Sequence, residues 1–452
     1  MQKEITQMRV IRLGAGAGYS GDRILPAVEL AEKGSLDYLV FECLAERTVA
    51  LAQLEKSKNP DLGFDPLLRD RMEAVLLTCK EQGIKIVTNM GAANPHAAAK
   101  EVLAIAKALG ITSLKVGVVS GDDVLPQVLS GNFSVMETGE SISTMKGDII
   151  SANAYLGSEP IVEALSLGAD IVITGRVSDP ALFLAPLMYE FGWSSSDWEK
   201  LGQGILVGHL LECAAQVTGG YFADPGYRDV PNLENLGFPI AEVSENGEVI
   251  ITKVEGSGGC VTTATCSAQL LYEIEDPAQY LQPDVIADFS QVTLFEVSKD
   301  RVQAKKASGH PRPNMIKATV GKRDGFIGDG QISYAGLGAV SRGQLALDIL
   351  QKRIEASGIQ LLDIRYELIG VNAIHGESLS RGHEPYEVRV RVAARTTTKK
   401  EAEYVVNEVE AMYLNGPAGG GGATKSVREV ISAISVLLPR DLIKTSVSMM
   451  EL

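Results

Sequence analysis

Four side chains stand out for chemistry: three aspartates and one arginine, each placed where an apolar run stops. Asp22 lies in SGDRILPAV (residues 20–28) and Asp122 in SGDDVLPQV (residues 120–128), two copies of the phrase S-G-D-x-[IV]-L-P-x-V set 100 positions apart. Asp179 lies in VSDPAL (residues 177–182), and Arg176 follows ADIVITG directly before it. A carboxylate at such a corner can cap the next helix by accepting its first N–H groups, and proline is tolerated in a first helical turn. It can also carry a proton or hold a divalent ion. The arginine can fork onto a substrate carboxylate or pair with a corner aspartate. The glycines before Asp22 and the arginine before Asp179 give these two acids the company of a ligand pocket. Asp122 lacks that company and reads as a cap. Asn89 and Asn94 in TNMGAANP and Asn153 in SANAYLG are amides suited to orienting a substrate, and Tyr155 can donate to an enolate-like oxygen.

The stretch GAGAGYSG carries G-x-G-x-x-G at Gly16, Gly18 and Gly21, and Glu42 stands where a ribose-binding acid would follow. Three features argue against a dinucleotide. The helix pattern starts only near Asp22 or Pro26, so the loop is too long for the tight turn. Asp22 puts a negative charge where a pyrophosphate should meet the helix N-terminus. The same corner recurs at Ser120 without the glycine series. NAD is therefore not the expected cofactor. Gly16, Gly18, Ser20, Gly21 and Glu42 are expected to border a cleft for another ligand.

The remaining motifs are weaker. His96, His209, His310, His375 and His383 are scattered, with no HxH or HExxH, so a zinc protease is out and any divalent metal site would be assembled from distant positions. His209, Glu212 and Gln216 share one helix face, as a polar seam or a catalytic group. The loops SGHPRPN (308–314) and NAIHGESLSRGHEP (372–385) read as surface loops or site borders. Cys260 in EGSGGCVTTATCS is a nucleophile at a helix N-terminus or a small buried residue. NGPAGGGGATKSVREVI leads through Thr424 and Lys425 into an expected helix, and its glycines form an anion nest or a contact loop.

The elements that must position these residues are legible as alternation. MRVIRLGAG, LDYLVFE, IKIVTNMG, SLKVGVVSGDD, DIISANAYLG and ADIVITGRVSDP read as strands. ILPAVELAEKG, DPLLRDRMEAVLLTCKEQG, PHAAAKEVLAIAKALG, EPIVEALSLG and ALFLAPLMYEFG read as helices between and after them. Continuous β-branched strands alternating with helices predict an α/β fold, a mainly parallel sheet with flanking helices, over residues 1–220. Ligands of such sheets sit outside the carboxyl ends of the strands, where the corners lie. After Gly220 the pattern turns to period-two runs such as GEVIITKVEG and YEVRVRVAART with two long helices. An α+β second domain with Gly-rich loops is expected over residues 221–452, with PGYRDVPNLENLGFP as the linker.

The chain has 452 residues, a length that suggests two or three domains. A net charge of −15 and a pI near 5.0 disfavour nucleic acid and anionic membranes as partners. The five cysteines form no CxxC pair, no secretory signal pattern opens the chain, and no run is long enough to span a bilayer. A cytoplasmic protein and a homo-oligomer are expected.

RLGAGAGYSGDR, TNMGAANP, SANAYLG, GADIVITGRVSDPALFLAPL and GHLLECAAQVTGGYFADP together resemble the acyclic terpene utilisation AtuA family, over nearly the whole chain. The family takes its name from a gene cluster for catabolism of citronellol-type compounds, whose pathway works on acyl-CoA esters. Longer members look like they carry an additional C-terminal ferredoxin-like domain. The resemblance thus implies a small ferredoxin-like partner subunit as a candidate partner of this chain. The reading that uses the corners most economically is a catabolic hydratase, lyase or isomerase acting on a small carboxylate or acyl-CoA. Arg176 would clamp the ligand, and Asp22 and Asp179 would act as acid and base or hold a divalent metal. A non-catalytic ligand-binding or scaffolding subunit is the alternative, and an NAD(P)-dependent oxidoreductase the third.

Overall fold

The computed structural model describes residues 9–380 and 384–452. His383 of the loop 372–385 lies outside the described residues. The chain up to Gly321 together with Ala433–Leu452 forms one compact unit, and Lys322–Ser432 forms a second.

The first unit is built on strands β1 (Val10–Ala17), β2 (Tyr38–Phe41), β3 (Lys85–Thr88), β4 (Lys115–Ser120), β5 (Ile149–Ala154), β6 (Ile171–Ile173), β7 (Pro239–Ser244) and β8 (Val249–Lys253). Between them run α1 (Leu25–Lys33), α2 (Glu46–Lys58), α3 (Leu68–Gln82), α4 (Pro95–Ala108), α5 (Leu125–Ser130), α6 (Glu159–Ser166), α7 (Ala181–Phe191) and α8 (Trp198–Leu211). After β8 come α9 (Thr263–Leu270) and the short strands β9 (Tyr280–Leu281), β10 (Ile286–Asp288), β11 (Thr293–Ser298), β12 (Arg301–Lys305) and β13 (Ser308–His310).

β14 (Met315–Ala335) carries the chain from the first unit into the second and leads to α10 (Ala339–Ser357), β15 (Leu361–Ile369) and the single turn α11 (Gly376–Leu379). Then follow β16 (Glu387–Thr396), α12 (Lys399–Asn415) and β17 (Gly421–Pro439), and the chain returns to the first unit with β18 (Ser446–Glu451).

The main sheet has ten strands in the order β11-β12-β8-β7-β1-β2-β3-β6-β4-β18. The run β1-β2-β3-β6-β4 is parallel throughout. Its strands are apolar along their length because helices cover both faces: all four residues of β2 are buried. Each fully buried Leu, Val or Ile here contributes about 1.5–3 kcal/mol of hydrophobic stabilisation.

The sheet as a whole is mixed rather than mainly parallel, because β7, β8, β12 and β11 join antiparallel on one side and β18 on the other. Short connections force this. β7 reaches β8 through four residues and β11 reaches β12 through two, with Gly247 and Asp300 at positive φ, whereas a parallel neighbour needs a crossover of a dozen residues or more. The change of pattern after Gly220 therefore marks a change of pairing within one sheet. The stretch expected as a linker leads straight into β7 and buries Leu236 and Phe238. β5 stands apart from the main sheet and pairs with β14.

The second unit orders its strands β15-β16-β14-β17 and carries α10 and α12, the β-α-β-β-α-β arrangement of ferredoxin-like units. Along β16, Val388, Val390, Val392 and Ala394 are buried, while Arg389, Arg391 and Arg395 lie on the other face, the period of two that a half-covered strand requires. The glycine cluster before Thr424 leads into β17, not a helix. Gly419 and Gly422 hold positive φ, and the chain beyond them pairs with β14. Among the described residues no helix is long and apolar enough to cross a membrane.

Candidate functional site

The five parallel strands all end on one edge, and Gly18, Glu42, Asn89, Asp122 and Arg176 follow within three residues of those ends. Asn89 ties two of them together. Its side-chain oxygen accepts the Cys43 N–H at 2.7 Å, and its amide donates to Glu42 Oε1 at 2.9 Å. The same Glu42 oxygen accepts the Leu44 N–H at 2.8 Å. Burial, then the nearby Asp179 charge, pushes the Glu42 carboxyl up to about 8. Asp122 ties a second pair. Its Oδ2 accepts the Arg176 backbone N–H at 2.9 Å and the Asn153 amide at 2.8 Å. A Cβ at Gly175 would stand 2.5 Å from this carboxylate, so the missing side chain is what lets Asp122 lie against the end of β6. Burial pushes Asp122 up to about 6.

Arg176 is the centre of the arrangement. Its guanidinium is 1% exposed, donates to the Leu44 carbonyl, and pairs with Asp179. It stacks 4.2 Å from the centre of the Tyr155 ring. Its Nε is buried without a partner. Burial works against the charge, but Asp179, Tyr155 and Glu42 outweigh it and hold the guanidinium firmly protonated. The fork is thus committed to Leu44 and Asp179.

Beside it opens a cavity of about 780 Å³. Asp179, Tyr155, Glu46, Lys317, Ser178 and Glu273 bring polar groups to its wall. Burial raises the Asp179 pKa against the pull of Arg176, although a third of the side chain is open to solvent. The Tyr155 hydroxyl donates to Glu46 Oε1 at 2.9 Å, and Lys317 Nζ donates to the same oxygen at 2.6 Å. Burial alone would raise Glu46, but the Lys317 hydrogen bond and charge hold it below the usual carboxylate range. The arrangement offers a carboxylate poised by an arginine, a phenol linked to a second carboxylate, and a lysine, all facing one space. Such a set can move protons and stabilise a developing oxyanion.

The other expected residues fall elsewhere. Asp22 accepts the Gly18 N–H at 2.9 Å and the Arg23 N–H at 2.8 Å, closing its own loop. Arg71 and Arg23 are the cations that act on it, whereas Arg176 acts on Asp179, so the two acids belong to different environments. None of Gly16, Gly18, Ser20 and Gly21 lines the cavity. The buried Arg71, paired with Asp65 at 3.0 Å, holds the loop from beneath by donating to the carbonyls of Ser20 and Asp22 at 2.8 and 3.3 Å. α1 starts at Leu25, beyond the loop, and the Gly18 N–H a phosphate would need is taken by Asp22. Asn94 caps α4 through the Ala97 N–H and donates to the carbonyls of Pro60 and Leu62.

The cap reading of the corner aspartates is corrected. The residues at the helix starts are Ile24, Val124 and Pro180, and none makes a side-chain cap. Each carboxylate turns instead to a donor on a loop or a neighbouring strand end.

His209 Nδ1 meets Glu212 Oε1 at 2.9 Å in a buried pair behind the cavity wall, where Tyr280 packs edge-on against the imidazole. Burial pushes Glu212 up to about 7. Cys260 is not activated. Thr262 caps α9, and burial raises the thiol. Among the described residues no three His, Cys, Asp or Glu side chains are grouped to hold a metal ion.

Glu46 and Lys317 were not anticipated from the sequence. They sit 271 positions apart, on α2 and β14, and only the pairing of β5 with β14, through the Tyr155 N–H and the Lys317 carbonyl, brings them together. Over residues 11–449 the sequence matches the family described as "Acyclic terpene utilisation family protein AtuA". No curated protein matches the chain.

Proposed function

We propose a proton-transfer function for this chain, which belongs to the acyclic terpene utilisation family AtuA. The cavity beside Arg176 binds a small carboxylate or acyl thioester and carries out a non-redox step on it, of the hydratase, lyase or isomerase kind. One observation carries the reading: Asp179, Tyr155, Glu46 and Lys317 line one cavity together with the apolar Met136, Met315, Ile316 and Leu437. That polarity suits an amphiphile with a reacting polar head.

Lys317 faces the carboxylate or thioester oxygen, because the Arg176 fork is already committed. Asp179 takes and returns the proton, with Arg176 as its positioning partner. Tyr155 shares its proton with Glu46 and supports the developing oxyanion. The free cysteines fit a reducing cytoplasm, where a catabolic enzyme would work.

The test is solvent exchange. The protein is incubated in heavy water with branched medium-chain acids and their CoA thioesters, and the recovered compounds are weighed by mass spectrometry. Deuterium uptake or loss or gain of water, abolished in Asp179→Asn, supports the reading. Tight binding with neither would move the chain to the ligand-binding subunit class.

A further inference from the structure

A second chamber of about 500 Å³ shares Met136, Met315 and Leu437 with the cavity beside Arg176. Beyond those three side chains the second chamber is lined, among the described residues, by the apolar Phe133, Val135 and Gly139 and the polar Asn132 and Ser134. Met136, Met315 and Leu437 come from three separate segments and are 55%, 39% and 38% exposed. Apolar side chains that gather at the surface, rimmed by polar residues, mark places where an apolar partner binds.

The wall is braced. The Met136 N–H donates to the Ser435 carbonyl at 2.8 Å, the Ser435 N–H donates to Glu137 at 3.0 Å, and Val135 bridges to Val436. Backbone bonds therefore tie the Met136 segment to the segment that carries Leu437, while the methionine side chains, unbranched and polarisable, adapt to what lies against them.

We infer that the second chamber is a chain-binding annex, which takes the hydrocarbon tail of the ligand whose polar head lies at Asp179 and Lys317. The inference rests on the proposed function, since the head must occupy the first cavity for the tail to reach the second. The three apolar side chains that border both spaces are what select this occupant. A tail that crosses the methionine pair leaves water at every carbon, so affinity must climb with length. Each added methylene is worth about 0.8 kcal/mol, or about fourfold in affinity.

Titration calorimetry on the full chain with butanoate, octanoate and dodecanoate tests this. The expected result is weak binding of butanoate and a steep rise through the longer acids, with the rise flattened in Phe133→Gln. Phe133 is partly buried and lines only the annex, and its melting temperature is recorded alongside. A rise that is the same in Phe133→Gln as in the unaltered chain overturns the annex. So does butanoate binding with no rise, which leaves the first cavity's role intact. If none of the acids binds, the annex falls, and the proposed function then rests on the CoA thioesters alone. A flat series together with a mass that doubles at high protein concentration means that a second copy of the chain covers the patch, and this also overturns the annex.

Discussion

The two corners written S-G-D-x-[IV]-L-P-x-V have almost the same letters and opposite situations. At the first, Asp22 is half-buried and bonds within its own loop, to Gly18 and Arg23. At the second, Asp122 is buried and bonds across the sheet, to the Arg176 backbone and the Asn153 amide. Gly21 does not hold positive φ and has the exposed Tyr19 ring beside it. Gly121 has φ +108°, with the Lys444 carbonyl 2.2 Å from where a Cβ would sit. The difference teaches that a corner motif specifies a turn and a carboxylate, while the strand it follows decides whether that carboxylate serves the loop or the site. β4 lies beside β6, so its corner reaches Arg176. β1 ends beside β2 instead, and its corner closes on its own loop.

The third corner, at Asp179, gives the largest contrast. Asp179→Asn should lower turnover about 100-fold or more, the scale of a lost general acid–base, while Asp22→Asn leaves turnover near the unaltered value. Solvent-exchange rates on the two variants check this, and equal losses would erase the distinction between the corners. Next comes stability. Asp122→Ala leaves two buried donors without an acceptor, at about 1–3 kcal/mol each, so the loss should be about 2–6 kcal/mol. Asp22→Ala should lose only about 1 kcal/mol, because water reaches its donors. Urea denaturation of both separates a buried anchor from a loop tie.

Gly121→Ala should cost about 1–3 kcal/mol, from strained φ and a backbone clash that cannot yield. Gly21→Ala should cost almost nothing, since the exposed Tyr19 swings aside, and thermal melts of the pair show whether that asymmetry is real.

The smallest effect is in pH. The folded Glu42 pKa, about 8, stands above its ordinary 4.5 because of burial, so its neutral form favours the fold. Its stabilisation is whole below pH 4.5 and is lost as pH rises through 8. Asp122, pushed to about 6, has lost its own share by then. Above pH 6 the melting temperature should fall further in the unaltered chain and stay flatter in Glu42→Gln.

What the sequence made legible follows from range. The strands IKIVTNMG and ADIVITG and the helices on either side of them depend on local hydrophobic period, and they stand where the pattern puts them. The placement of Glu42, Asn89, Asp122 and Arg176 at one edge follows from parallel strands ending together, a rule that needs no contact map. Glu46 and Lys317 could not be read, because they lie 271 positions apart and their meeting depends on β14 pairing with β5. The sequence predicts a helix where β17 runs, because VREVISAISVLL spaces its apolar residues as a helix would, and only the pairing with β14 settles the matter. The sequence offers Asp122 as a cap because its partner, the Arg176 N–H, is invisible in a string of side chains.

β18 has a consequence for synthesis. It supplies the antiparallel neighbour of β4, Ser446 opposite Ser120 and Glu451 opposite Lys115. The two strands are separated by roughly 330 residues of chain. A ribosome adding about 5–20 residues per second needs about 15–65 s to bring the second strand out after the first. For that interval the apolar Val116, Val118 and Val119 belong to an open edge, the kind that recruits strands from other molecules. The nascent protein therefore passes through a window in which crowding on a polysome, more than the stability of the finished fold, governs how much of it reaches the native state.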